Sequence, residues 1–332
     1  MVGGIGWADG GDGGDGGDGG DGGDGGALQT THSSTAWRPI GISPALTRPT
    51  ANDWWRGDKW PSANWDTPPN TRWPIAAATR FPRRAWSSHF NALAMLGEFT
   101  QTSDPNNGNL KWDGVVLPAI PTGQALIDEI RDLIDLIDYR PGVMAEALMQ
   151  RDNMLAYWCG VLMFGQASHP WTFDLLAIAL HVGQFQVMHY KRMANGGLGR
   201  PRPSQLSSAL MPPIEVPGHA SYPSGHATEA YLISKCLARV VGGPPPPANP
   251  APAPAAAALN TKYDATDADS TALQRLAQRV ARNREVLGLH YPSDSAAGKA
   301  LAEATFGILM QCPTIANTIL PNAYAEWLAP QY

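Results

Sequence analysis

The chain predicts an all-α fold. Apolar residues recur at helical spacing in successive stretches between residues 122 and 311. Prolines and glycines punctuate those stretches at their ends. No segment alternates convincingly with period two, so no sheet is expected.

Taken in order, the first helix starts near Thr122, with Leu126, Ile127, Ile130, Leu133, Ile134 and Ile137 on one face. Asp128, Asp132, Asp135 and Asp138 fall on or beside the opposite face and read as solvated. Pro141-Gly142 is expected to break this helix. Val143 to about Phe164 predicts a second, more buried helix, ended by His169-Pro170. Trp171 to about Tyr190 predicts a third, and His226 to about Val241 a fourth. Residues 242–258 are rich in proline and alanine and read as a surface excursion. Thr271 to Leu287 predicts a helix with Leu273, Leu276, Ala277 and Val280 on one face. Ser293 is expected to cap a last long helix reaching about Gln311.

Three regions follow. Residues 1–26 contain an Asp-Gly-Gly repeat, with Asp9, Asp12, Asp15, Asp18, Asp21 and Asp24 in register. This repeat has neither apolar residues nor prolines, so a disordered acidic tail is expected; weak calcium binding by the spaced carboxylates is the sharper alternative. Residues 27–120 carry Trp37, Trp54, Trp55, Trp60, Trp65, Trp73 and Trp86 among many prolines. They read as an irregular extension whose rings pack on the helical body. A sugar-binding aromatic surface is the alternative. Residues 121–332 are expected to form a helical domain, read as catalytic from the clusters at its helix ends.

Of the 332 residues, 43% are hydrophobic and 16% charged, enough for a sizeable core. A net charge of -5 argues against nucleic acid as a partner. Cys159, Cys236 and Cys312 lie far apart, in no metal or redox spacing, and read as buried thiols. Residues 1–7 lack the basic start and apolar run of a signal peptide, which makes the cytoplasm the default location. No apolar run is long enough to cross a membrane. The composition is compatible with a homo-oligomer.

Chemistry concentrates in three clusters at the ends of the expected helices. The first is Lys191 with Arg200-Pro201-Arg202-Pro203. The second is Pro217 to Thr228, centred on Pro223-Ser224-Gly225-His226 and preceded by His219. Gly225 allows close backbone approach, and the first amides of the helix suit an anionic oxygen. The third is Asn283-Arg284, then His290, then Asp294. Lysine and arginine forks suit a tetrahedral oxyanion. Two histidines allow one to act as nucleophile or ligand and the other as acid–base group. Asp294, four residues after His290, can hold the other ring nitrogen of that histidine.

This ordered set resembles the superfamily shared by vanadium-dependent haloperoxidases and type 2 phosphatidic acid phosphatases, including their soluble acid-phosphatase relatives. That pattern is lysine then arginine-proline, then proline-serine-glycine-histidine, then arginine, histidine and aspartate. The match covers about residues 188–300. The gap from Lys191 to either arginine is longer than usual, with Asn195 to Gly199 as a local insertion, and Asn283 replaces the phosphatases' usual serine.

The resemblance implies a helical bundle of that type. It implies that Lys191, Arg200 or Arg202, Ser224, Gly225 and Arg284 hold the oxygens of vanadate or phosphate. His290 would ligate vanadium or attack phosphorus, and His226 would act as the acid–base group. His219 stands where algal bromoperoxidases of the family carry histidine, and Ala227 replaces the phosphatases' threonine. Both favour a vanadate-dependent haloperoxidase using hydrogen peroxide, with bromide or iodide preferred, and His219 tuning halide or peroxide. A soluble acid phosphatase acting on phosphomonoesters, without cofactor and through a phosphohistidine, is the alternative. A non-catalytic oxyanion-binding or structural protein is the third reading.

Overall fold

A computed structural model describes residues 86–242 and 271–328. The Asp-Gly-Gly repeat, most of the tryptophan-rich stretch and the proline-rich excursion lie outside the described residues. From Ser88 onward the described residues lie in one compact, mostly helical unit.

The helices are α1 (Ser88–Gln101), α2 (Gln124–Asp135), α3 (Arg140–Asp152), α4 (Leu155–Leu162), α5 (Pro170–Met193), α6 (Pro203–Leu206), α7 (Gly225–Val241), α8 (Ala272–Val286), α9 (Pro292–Leu309) and α10 (Leu320–Leu328). Strand content among the described residues is a two-residue antiparallel pair, β1 (Ser103–Asp104) with β2 (Leu110–Lys111). Helix α7 sits at the centre, packed against α5, α8 and α9, while α1 and α10 pack on α5. The main core runs between them through Leu175, Ile178, Leu232, Ile233, Val280 and Ile308.

Several boundaries differ from the sequence expectation. Residues 88–101, expected to be irregular, form α1. Its buried Ser88, Ala92, Met95 and Phe99 recur at helical spacing and face α5, so the helical unit begins at Ser88 rather than at residue 121. The break expected at Pro141 comes earlier, at Leu136, and Pro141 instead starts α3, where its missing N–H costs nothing. The single helix expected over 143–164 is split at Asn153 into α3 and α4. Helical structure also continues past Gln311 through a π-helical turn, Ile315–Ile319, into α10. The four aspartates of α2 and the turn after it are exposed, as expected.

The helix ends explain where the chemistry gathers. Pro170 opens α5, and Glu326 of α10 accepts hydrogen bonds from Trp171 N (2.7 Å) and Thr172 N (2.9 Å). A carboxylate there satisfies two orphan donors and complements the helix dipole. At the other end of α5, Lys191 meets the segment leading into α7, so the two helices run antiparallel. Ser224 caps α7, its Oγ accepting from Ala227 N at 3.4 Å. Helix α8 ends in a Schellman motif: Gly288 N donates to Glu285 O (2.8 Å) and Leu289 N to Arg284 O (3.0 Å). Gly288 has φ 73°, a left-handed conformation that glycine adopts without a Cβ penalty. His290 follows two residues later.

Ser293, expected to cap α9, does not. Its own N–H is taken by Glu129 Oε1 at 2.7 Å, while Asp294 Oδ2 reaches back to Tyr291 N at 3.1 Å. The three cysteines are free thiols; Cys236 and Cys312 are buried and Cys159 is half-buried. Burial pushes the Cys159 and Cys312 thiols up to about 11, which keeps them protonated near neutral pH.

Candidate active site

One end of the bundle gathers the C-termini of α5 and α8 with the N-termini of α7 and α9. The backbone knits these together before any side chain is considered. Ser221 N donates to Arg200 O at 2.9 Å, and Ser224 N to Asp294 O at 3.0 Å. Gly199, with φ 72°, lets this happen: a Cβ there would stand 2.8 Å from Ala220 Cβ. The Asn195–Gly199 stretch is thus a tight turn that returns the chain from Lys191 to lie along residues 219–221. Gly298 of α9 plays the matching role against α7, where an added Cβ would meet Ser224 O at 2.7 Å.

His290 and Asp294 are completely buried. His290 Nδ1 lies 3.1 Å from Asp294 Oδ2, and His290 Nε2 lies 3.1 Å from Arg202 Nη1. A guanidinium can only donate, so Nε2 accepts and Nδ1 carries the proton shared with Asp294. The ring is therefore fixed in one tautomer and one orientation. Asp294 also accepts from Ser221 Oγ and, through Oδ1, from Arg200 Nη1 at 2.6 Å. Burial alone would raise the pKa of Asp294. The hydrogen bond from His290, the Arg200 charge and Ser221 outweigh it and hold the carboxyl at about 2.

The two arginines two residues apart have different surroundings. Arg200 lies between carboxylates: Nη1 binds Asp294, Nη2 binds Glu129 Oε2 at 2.8 Å, and its plane stacks on the Tyr291 ring at 3.7 Å. Arg202 instead contacts two carbonyl oxygens and two imidazole nitrogens. These are His219 O (3.0 Å), Leu289 O (3.0 Å), His290 Nε2 and His219 Nδ1 (3.0 Å). His219 Nδ1 lies between Arg202 Nη2, which can only donate, and Ala220 O at 3.2 Å, which can only accept. Lys191 is 2% exposed and donates to Ala220 O (2.7 Å) and Ser221 O (3.2 Å).

The structure thus ties Lys191, Arg200, Arg202, His219, Ser224, His290 and Asp294 together through direct contacts between their segments. Gly225 and His226 are fully enclosed on the first turn of α7, directly after Ser224. Arg284 is fully buried near the end of α8, and its Nη2 donates to Ala147 O of α3. Ser221 and Glu129 complete the constellation and were missing from the sequence prediction. Ser221 sits inside the motif-bearing stretch and could have been suspected from its position. Glu129 lies next to the exposed aspartates of α2, and its partner Arg200 is 71 residues away. Tyr291, immediately after His290, is raised to about 12 mainly by burial and stays protonated.

Among the described residues, no group of three or more His, Cys, Asp and Glu side chains is arranged to hold a metal ion. Nor is any helix among them long and apolar enough to cross a membrane. No protein-family model matches the chain, and no curated protein matches it in sequence.

Proposed function

We propose that the chain is an oxyanion-handling enzyme, read most closely as a vanadate-dependent haloperoxidase. One observation carries the proposal: His290 presents Nε2 toward the Arg202 fork while Asp294 holds Nδ1. An imidazole fixed in this way supplies one directed lone pair beside a cation, the arrangement that a ligand to an oxyanion's central atom requires.

The donor set fits vanadate. Arg202, Lys191 and the amides opening α7 offer charge-assisted and backbone hydrogen bonds, and His290 Nε2 offers the single coordinating nitrogen. Arg202 suits the anion better than Arg200, whose fork is already bound by two carboxylates. Arg284 is assigned to the anion by the resemblance alone. When bound, vanadate would supply Lewis-acid activation of hydrogen peroxide toward halide, giving hypohalous acid and water with uptake of one proton. The chain's own residues do the rest. Lys191 and Arg202 would balance the negative charge of the anion's oxygens. His226 supplies or removes the proton at the buried opening of α7. His219 is bonded to the same guanidinium that faces His290, and the resemblance assigns it the tuning of halide or peroxide.

The same geometry favours a second reading. His290 Nε2 can attack a phosphomonoester, forming an N–P bond as the P–O bond breaks, with His226 protonating the leaving oxygen. The test is bromination of phenol red with peroxide after vanadate loading, beside hydrolysis of p-nitrophenyl phosphate without vanadate. Bromination sensitive to His219→Ala supports the haloperoxidase. Ester turnover that vanadate inhibits replaces it with the phosphatase. Vanadate or phosphate binding with neither activity means a non-catalytic oxyanion-binding protein.

A further inference from the structure

We infer that a cavity beside this site binds a neutral, largely apolar small molecule. The cavity has a volume of about 690 Å³ and lies between the 115–126 segment, the C-terminal end of α5 and the 200–206 segment. That size falls within the range of small-molecule pockets.

The chemistry of the walls selects the ligand. Val115, Leu117, Ile120, Leu126, Met193 and Leu206 contribute apolar surface. Tyr190 and Tyr222 contribute rings, because both hydroxyls are engaged by the loop that roofs the cavity. Tyr190 Oη accepts from Val115 N (2.7 Å) and donates to Trp112 O (3.0 Å), and Tyr222 Oη donates to Pro118 O. Asn195 turns its amide to Gly199 O at 3.2 Å. Arg200, the cation in the wall, is neutralised by Glu129 and Asp294. A charged ligand would lose hydration here without gaining an opposite charge, whereas an apolar one gains from burial.

Location gives the pocket its meaning. Arg200 lines it and also grips Asp294, the residue that holds His290. Pro201 precedes Arg202, and Tyr222 follows Ser221. An organic molecule in this cavity would stand one guanidinium away from the oxyanion centre. The inference rests on the walls and not on which oxyanion reaction occurs, and its test needs no turnover.

The test is fluorescence titration of the full chain with N-phenyl-1-naphthylamine, which brightens in apolar sites. Saturable binding is expected. Thr122→Trp and Met193→Trp, both at exposed lining positions, should fill the cavity and weaken binding by about tenfold or more, with unchanged thermal unfolding. Leu198→Trp, exposed but outside the cavity, should leave it unaltered. 2-Naphthol should displace the probe, and 2-naphthoate should do so far less well. Absence of saturable binding, undiminished binding in both filling variants, or equal displacement by the carboxylate would overturn the inference.

Discussion

His290 and Asp294, both fully buried, sit one helical turn apart in sequence and share a proton across 3.1 Å at the start of α9. That pair aims the other imidazole nitrogen at Arg202 and leaves Asp294 ionised in the core. Its energetics lead to the first prediction.

Asp294 has a folded-state pKa of about 2, below its ordinary 3.8. A depressed carboxylate stabilises the fold fully above the unfolded value and loses that contribution as pH falls through the folded one. Unfolding free energy should therefore decline between about pH 4 and pH 2, by about 2 kcal/mol from this group. Urea denaturation across that range should show the decline in the native chain. Asp294→Asn should lack this component and be less stable at neutral pH. Retention of the full slope in the variant would contradict the assignment.

Arg202 and Arg200 should separate binding from stability. Arg202→Ala should weaken vanadate or phosphate binding by about 10- to 100-fold, the value of hydrogen bonds to a charged partner. Arg200→Ala strands two carboxylates and should cost about 3–5 kcal/mol of unfolding free energy. Calorimetric titration with orthovanadate and chemical denaturation of both variants would check this. Equal binding losses without a stability difference would contradict it.

His226→Ala should keep vanadate affinity while slowing turnover by about 100- to 10,000-fold, as expected for a lost acid–base group. His290→Ala should abolish turnover in either chemistry, because a covalent or coordinating partner has no substitute. Its ring is fully buried, so a moderate loss of stability should accompany it. A His290→Ala chain with full activity would refute the site.

Gly298→Ala tests the crossing that frames the site. The new methyl would meet Ser224 O at 2.7 Å, Ala227 Cβ at 2.9 Å and Thr228 N at 3.1 Å, at the cap and first turn of α7. Overpacking of this kind costs about 1–3 kcal/mol. Thermal unfolding should fall, and oxyanion affinity should drop with it because the α7 amides are displaced. An unchanged melting temperature would show that the helices can part at no cost.

Local interactions made much of the bundle legible. The apolar periodicity of α2 and α8, the break at His169-Pro170 and the start at Thr271 all act within a few residues, so the sequence carries them openly. The clusters at the helix ends were visible for the same reason, since Lys191, Ser224 and His290 each lie at or just beyond a helix terminus. Helix α1 was missed because its apolar stripe is short and interrupted by polar residues. Only packing against α5 shows that Ala92, Met95 and Phe99 share a buried face.

The sequence by itself determined that two arginines, two histidines and an aspartate would stand near helix ends, because caps and periodicity act along the chain. It also placed Asp294 one turn from His290. The tertiary structure alone decided which arginine is neutralised, since the carboxylates that bind Arg200 come from positions 71 and 94 residues away. It alone made Glu129, rather than Ser293, the acceptor for the opening amide of α9. Such pairings depend on which helix faces meet in the bundle, and that is set by the burial of apolar surface across the whole unit rather than by any residue's immediate neighbours.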